Sequence, residues 1–225
     1  MITDLRAAEL CCALYGLPTP NPVTFEHIDD GKDDGVFWAL IRESGVAAVV
    51  LRGSFAAEDW IKDAFAVPYF SRRLGHVHAG FYLGMNNAWT DMKPLLRQPD
   101  EPVVLIGHSL GAARAAILTG FMVVEDCPPA ARIAFGEPKP GFKALQDLIA
   151  NVPDRVYVND DGRGHDEVSD QPLTLPPLWL YVHSTAAPMI KIPGTPPASD
   201  MAGVFGYHHV ELYRAALAAA QEEKS

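Results

Sequence analysis

The chain has 225 residues, 48% of them hydrophobic, and a formal net charge of −10. That length suits one α/β domain with a sizeable buried core. The acidic balance argues against a nucleic-acid binder, which needs Lys/Arg stripes for phosphates, and no apolar run is long enough to span a bilayer.

Residues 3–15 place Leu5, Ala8, Cys12 and Tyr15 at helical spacing, with Thr3 as N-cap and Gly16 and Pro18 as stops. Asp4, Arg6 and Glu9 fall where a secretory signal needs an apolar core. Cys11, Cys12 and Cys127 can form neither a complete disulfide set nor a zinc site. Together these features predict a cytoplasmic, reducing setting. Pro18 to Gly35 is rich in breakers and acids and predicts a loop. Val36–Ile41 and Val46–Leu51 predict a hairpin turning at Glu43-Ser44-Gly45. Its second strand is apolar on both faces and therefore central.

Arg52-Gly53-Ser54 follows directly. Residues 55–65 then predict a short amphipathic helix, with Ala57, Ile61, Ala64 and Phe65 on one face; Phe55 and Trp60 need not lie on it. It is either a core-packed helix or a lid with an apolar underside, Phe55, Trp60 and Ile61 then meeting substrate. Val77 to Phe81 opens a longer helix running to about Arg97.

Val103-Val104-Leu105-Ile106 predicts a strand and Ala112 to about Val124 a helix; between them stands Gly107-His108-Ser109-Leu110-Gly111. Strand, sharp turn and helix form the context of a G-x-S-x-G nucleophile elbow. The alternative for the five residues alone is a glycine-rich turn with Ser109 as helix N-cap. Further strands are predicted at 132–136 and 155–158, with a helix between them marked by Phe142, Leu145 and Ile149. A polar loop with five acids spans Asn159 to Asp170. Residues 178–183 and 189–192 predict a two-stranded hairpin, and His208 opens the last helix. Alternating strands and helices predict an α/β fold: a mostly parallel, mixed sheet covered by helices on both faces.

A serine hydroxyl needs a base within reach, and the base needs an acid to fix its tautomer. In α/β hydrolases these follow the elbow in the order serine, acid, histidine. The acid-rich loop and the histidines near the C-terminus supply that order.

Five blocks, in order along the chain, carry a family resemblance: Arg52-Gly53-Ser54 with Asp59-Trp60-Ile61-Lys62-Asp63; Val77-His78-Ala79-Gly80-Phe81; Gly107 to Gly111; Phe135 to Gly141; and His208 to Tyr213. The chain resembles the class 3, fungal-type triacylglycerol lipases of the α/β-hydrolase superfamily. The resemblance implies Ser109 as nucleophile and His208, five residues before Tyr213, as base. As acid it implies Asp166 in Asp166-Glu167-Val168-Ser169, with Asp161 as the rival nearer the strand end. The oxyanion donors are the N–H of Leu110, immediately after the nucleophile, and Ser54. The implied activity is hydrolysis of acyl esters, acylglycerols or related lipids, by one domain spanning residues 1–225 with transient contact to a lipid interface. No cofactor is implied, and no metal is expected, because the loop acids lack metal-loop spacing. A soluble short-chain esterase or an acyltransferase could use the same residues, and a non-catalytic interaction protein could use the same scaffold.

Overall fold

The computed structural model describes residues 2–53, 67–96, 101–172, 180–196 and 206–223. Its strands are β1 (His27–Asp29), β2 (Trp38–Glu43), β3 (Val46–Leu51), β4 (Pro68–Ser71), β5 (Gly75–His78), β6 (Val103–His108), β7 (Ala131–Phe135), β8 (Asp154–Asn159) and β9 (Ile190–Ile192). Its helices are α1 (Asp4–Leu14), α2 (Ala79–Tyr82), α3 (Met85–Leu95), α4 (Leu110–Val124), α5 (Lys143–Ile149) and α6 (Val210–Glu222).

Strand β3 is buried along its whole length. Ala47, Val49 and Leu51 join one core cluster; Val46, Ala48 and Val50 join the other. The strand is therefore apolar at every position, because helices cover both of its faces. On one face lie Phe81, Trp89, Phe121 and Leu145 from α2, α3, α4 and α5. On the other lie Leu10, Cys11 and Cys12 of α1 with Tyr213 of α6. The sheet order is β1-β2-β3-β6-β7-β8-β9. Strands β1, β2 and β3 pair antiparallel, and β3, β6, β7, β8 and β9 run parallel. Strand β6 thus sits mid-sheet, and its C-terminal end delivers the elbow.

Four expectations change. Residues 27–29, read as loop, form an edge strand in register with β2, His27 opposite Leu40; pairing rather than pattern makes so short a strand. Val77 and His78 belong to β5, paired with β4, and the helix read from them starts only at Ala79. That helix is interrupted at Gly84, whose φ is +80° and where a Cβ would stand 2.0 Å from the Asp34 carbonyl oxygen; only glycine allows this close approach. The hairpin read around Pro188 is absent among the described residues: β9 runs parallel to β8, and Val182 bridges to Gly141. The last helix begins at Val210, with His208 in a 3-10 turn before it. The helix expected over 55–65 lies outside the described residues.

Candidate active site

The elbow joins β6 to α4 through Ser109, whose backbone sits at φ 60° and ψ −131°. A non-glycine residue there is strained, and the fold must hold it. Three glycines show how tightly it does so. A Cβ on Gly107 would stand 2.4 Å from the Gly111 carbonyl oxygen, one on Gly111 2.1 Å from that of Leu51, and one on Gly53 2.7 Å from the Ser109 Cβ. The Ser109 N–H donates to the Phe135 carbonyl at 3.0 Å, tying the turn to β7. Leu110 follows as the first residue of α4, where backbone N–H groups have no partner within the helix.

His208 is 5% exposed. Its Nδ1 lies 2.7 Å from Asp166 Oδ2. Asp166 is fully buried and also accepts from the Tyr213 hydroxyl at 2.5 Å and the Val168 N–H at 3.0 Å. Burial pushes this carboxyl up; the His208 ring and the Tyr213 hydroxyl outweigh it and hold Asp166 below the usual range. Gly136, at φ +57°, makes room for the pair: a Cβ there would meet Asp166 Oδ2 at 2.5 Å and the His208 ring at 2.9 Å. The His208 Nε2 and the Ser109 Oγ are both buried and make no hydrogen bond among the described residues.

His108, next to Ser109, stacks on His208 with ring centroids 4.7 Å apart. Its Nε2 lies 2.8 Å from the His208 carbonyl oxygen and its Nδ1 3.0 Å from the Tyr15 hydroxyl. That hydroxyl accepts the Gly53 N–H at 2.9 Å, so its proton points to His108 Nδ1, and His108 donates from Nε2. Burial, helped by the His208 charge, lowers the His108 pKa to about 3 and keeps the ring neutral. One chain of hydrogen bonds thus links the Gly53 backbone, His108 of the elbow and His208.

The structure brings Asp166, not Asp161, to His208. Asp161 spends its oxygens on the Arg163 and Gly164 N–H groups, Tyr207 and Thr195; those contacts, the Arg163 N–H foremost, hold it at about 2. His209 is exposed and caps α6 without a side-chain bond. Ser54, Phe55, Trp60 and Ile61 lie outside the described residues. Sequence reasoning missed the roles of Tyr15 and Gly136. It used Tyr213 only as a spacing mark, although the interval from His208 was the signal for its contact. No cluster of three or more His, Cys, Asp or Glu side chains suited to a metal occurs among the described residues.

The family model for lipase (class 3) matches residues 48–162. The match includes Ser109 and stops before Asp166 and His208. Secreted mono- and diacylglycerol lipase 2 of Gibberella zeae is 32% identical over 140 residues, covering 56% of this chain and 34% of that protein. Secreted mono- and diacylglycerol lipase A of Penicillium cyclopium is 26% identical over 161 residues, covering 63% of this chain and 50% of that protein. The chain therefore spans a third to a half of the length of these curated relatives. Among solved structures, the Rhizomucor miehei lipase in its propeptide complex superposes with a TM-score of 0.67 at 20% identity, over 83% of this chain and 66% of that one. A triacylglycerol lipase from Penicillium expansum does so with 0.64 at 21%, over 86% and 80%. The fold is the α/β-hydrolase fold. The cytoplasmic expectation is corrected, because these curated relatives are named as secreted. Thiol count misled: Cys11 and Cys12 are buried side chains of α1, and such thiols pack like small hydrophobes whatever the redox setting.

Proposed function

The chain belongs to the lipase (class 3) family, and on that premise we propose that it is a serine carboxylic-ester hydrolase acting on acylglycerols or related lipid esters. The observation that carries the reading is the buried contact of 2.7 Å between His208 Nδ1 and Asp166 Oδ2, beside a strained serine at the elbow. Ser109 Oγ attacks the ester carbonyl carbon, and His208 Nε2 takes its proton. Asp166 orients the ring and stabilises the imidazolium without taking the proton itself. The Leu110 N–H, with Ser54 as the second donor implied by the family, stabilises the oxyanion, each donor contributing about 3–4 kcal/mol in the transition state. The ester C–O bond breaks, and His208 returns its proton to the leaving alcohol. Water then attacks the acyl-enzyme, giving its proton to His208, and the acid leaves as the Oγ–acyl bond breaks and His208 returns that proton to Ser109 Oγ. These roles, the single-domain organisation over 1–225 and contact with a lipid interface are all parts of the proposal.

Ser109→Ala tests it. Turnover of 4-nitrophenyl butyrate should fall by about 10⁴-fold or more, with labelling by a fluorophosphonate abolished and the melting temperature retained. Undiminished turnover in a folded variant overturns the assignment. A rate that jumps once the ester exceeds its solubility limit identifies the interfacial substrate; a rate that saturates below it identifies a soluble-ester substrate.

A further inference from the structure

The second turn of α4 carries a side chain, Arg114, that the ester chemistry does not use. Leu110 and Arg114 stand one turn apart on the same face of the helix. Both line a cavity of about 130 Å³ together with Asp30, Phe37, Arg52 and Gly53. The cavity therefore begins beside the Leu110 N–H and the residue before Ser54, where the oxyanion is expected to form.

Arg114 is only 6% exposed. Its Nη1 donates to the Gly35 carbonyl at 2.7 Å, while its buried Nε makes no hydrogen bond among the described residues. An interior guanidinium with an unanswered N–H is poorly solvated, so its charge acts strongly on a group placed beside it. Burial draws Arg114 down to about 10, partly offset by Asp34, and it stays cationic at neutral pH. Arg52 lines the same recess, its guanidinium 3.6 Å from the Phe37 ring centroid. Asp30, the carboxylate in the cavity wall, is engaged by Lys32. The helix N-terminus adds positive potential of its own. In a chain of net charge −10, this places a buried cation, Arg114, in a recess beside the reacting centre.

We propose that the recess binds an anionic group, a carboxylate or a phosphate, carried by the ester substrate close to its scissile bond. The proposal rests on the hydrolase reading and narrows its substrate class. The guanidinium fork of Arg114 matches the geometry of such oxyanions. At about 130 Å³ and open to solvent on one side, the recess has room for the group and a short spacer.

The test compares ethanol release from ethyl hexanoate and monoethyl adipate, which differ only in a terminal carboxylate. The wild-type kcat/KM ratio, anionic over neutral ester, should exceed one despite the net negative charge. It should fall about tenfold in Arg114→Met and Arg114→Gln, each checked for a cooperative unfolding transition. A wild-type ratio below one overturns the proposal without any variant, as does an equal ratio in folded variants. Inorganic phosphate, at constant ionic strength, is the second arm. Inhibition of ethyl hexanoate turnover that is lost in the variants while the ratio stays put overturns the substrate-borne group and indicates a free-ion site. Ser109-dependent turnover of ethyl hexanoate by the wild type tests the hydrolase reading separately.

Discussion

Tyr15 answers two buried groups at once. Its hydroxyl accepts the Gly53 N–H and meets His108 Nδ1. Removing it leaves both without that partner, and an unanswered buried polar group costs about 1–3 kcal/mol. Tyr15→Phe should therefore lower the melting temperature. It should also reach the chemistry, because Gly53 precedes the proposed oxyanion donor and His108 carries the His208 carbonyl. The expected result is a fall in kcat of about tenfold, equivalent to ~1.4 kcal/mol, with KM little changed, measured on 4-nitrophenyl butyrate. A purely structural tyrosine would lower the melting temperature and leave kcat alone. The residue scale is also where the sequence was least legible. Ser109 and His208 stood in recognisable blocks. The run Asp166-Glu167-Val168-Ser169 favoured Asp166 over Asp161 through the family resemblance alone; both lie in one acidic loop, and what separates them physically is the three-dimensional contact with His208. Tyr15 lies 93 residues before His108, and no local pattern connects the two.

Among the elements, α3 and α4 are fastened at one residue. Glu125, the C-cap of α4, accepts from Trp89 Nε1 of α3 at 3.1 Å and pairs with Lys93 of α3 and with Arg73 between β4 and β5. Lys93, ahead of the Trp89 and Arg73 contacts, depresses this carboxyl to about 2 from an ordinary value of 4.5. A depressed folded pKa gives stability that is fully present above about 4.5 and is lost as pH falls through about 2. Glu125→Gln should lower the melting temperature by a few degrees at pH 7. The gap to the wild type should close between pH 4.5 and 2 in thermal scans; a gap constant across that window would mean the charge contributes nothing. Elements were legible where burial set a pattern. The apolar runs of β3 and β6, and the small-residue helix α4, declared themselves because the sheet centre tolerates nothing else. Those set by a partner did not. Strand β1 exists through its register with β2. The break before α3 exists through the approach of the Asp34 carbonyl to Gly84, and β9, with Lys191 at its middle, exists through β8.

At the scale of the whole molecule, the first and last helices close one face of the sheet together. Leu10, Cys11 and Cys12 of α1 pack in the same cluster as Val210 and Tyr213 of α6, and Tyr213 in turn supports Asp166. The N-terminal helix therefore backs the Asp166–His208 pair from behind, and its integrity can be read from its own thiols. Cys11 and Cys12 are at most 1% exposed. Burial drives the Cys11 thiol well above its ordinary value and the Cys12 thiol up to about 12, so neither supplies thiolate at neutral pH. Cys127 is exposed. A disulfide reagent such as 5,5′-dithiobis(2-nitrobenzoate) should therefore titrate one thiol rapidly in the native protein and all three in guanidinium chloride. The two slow thiols should react at a rate that tracks global unfolding as denaturant is raised, because α1 cannot leave without opening the core it shares with α6. Three rapid thiols would mean that α1 detaches on its own. In that case turnover should fall with labelling, since the same helix carries Tyr15 at its C-cap. With two thiols sealed in this way, the cysteine content serves packing and says nothing about the compartment in which the protein works.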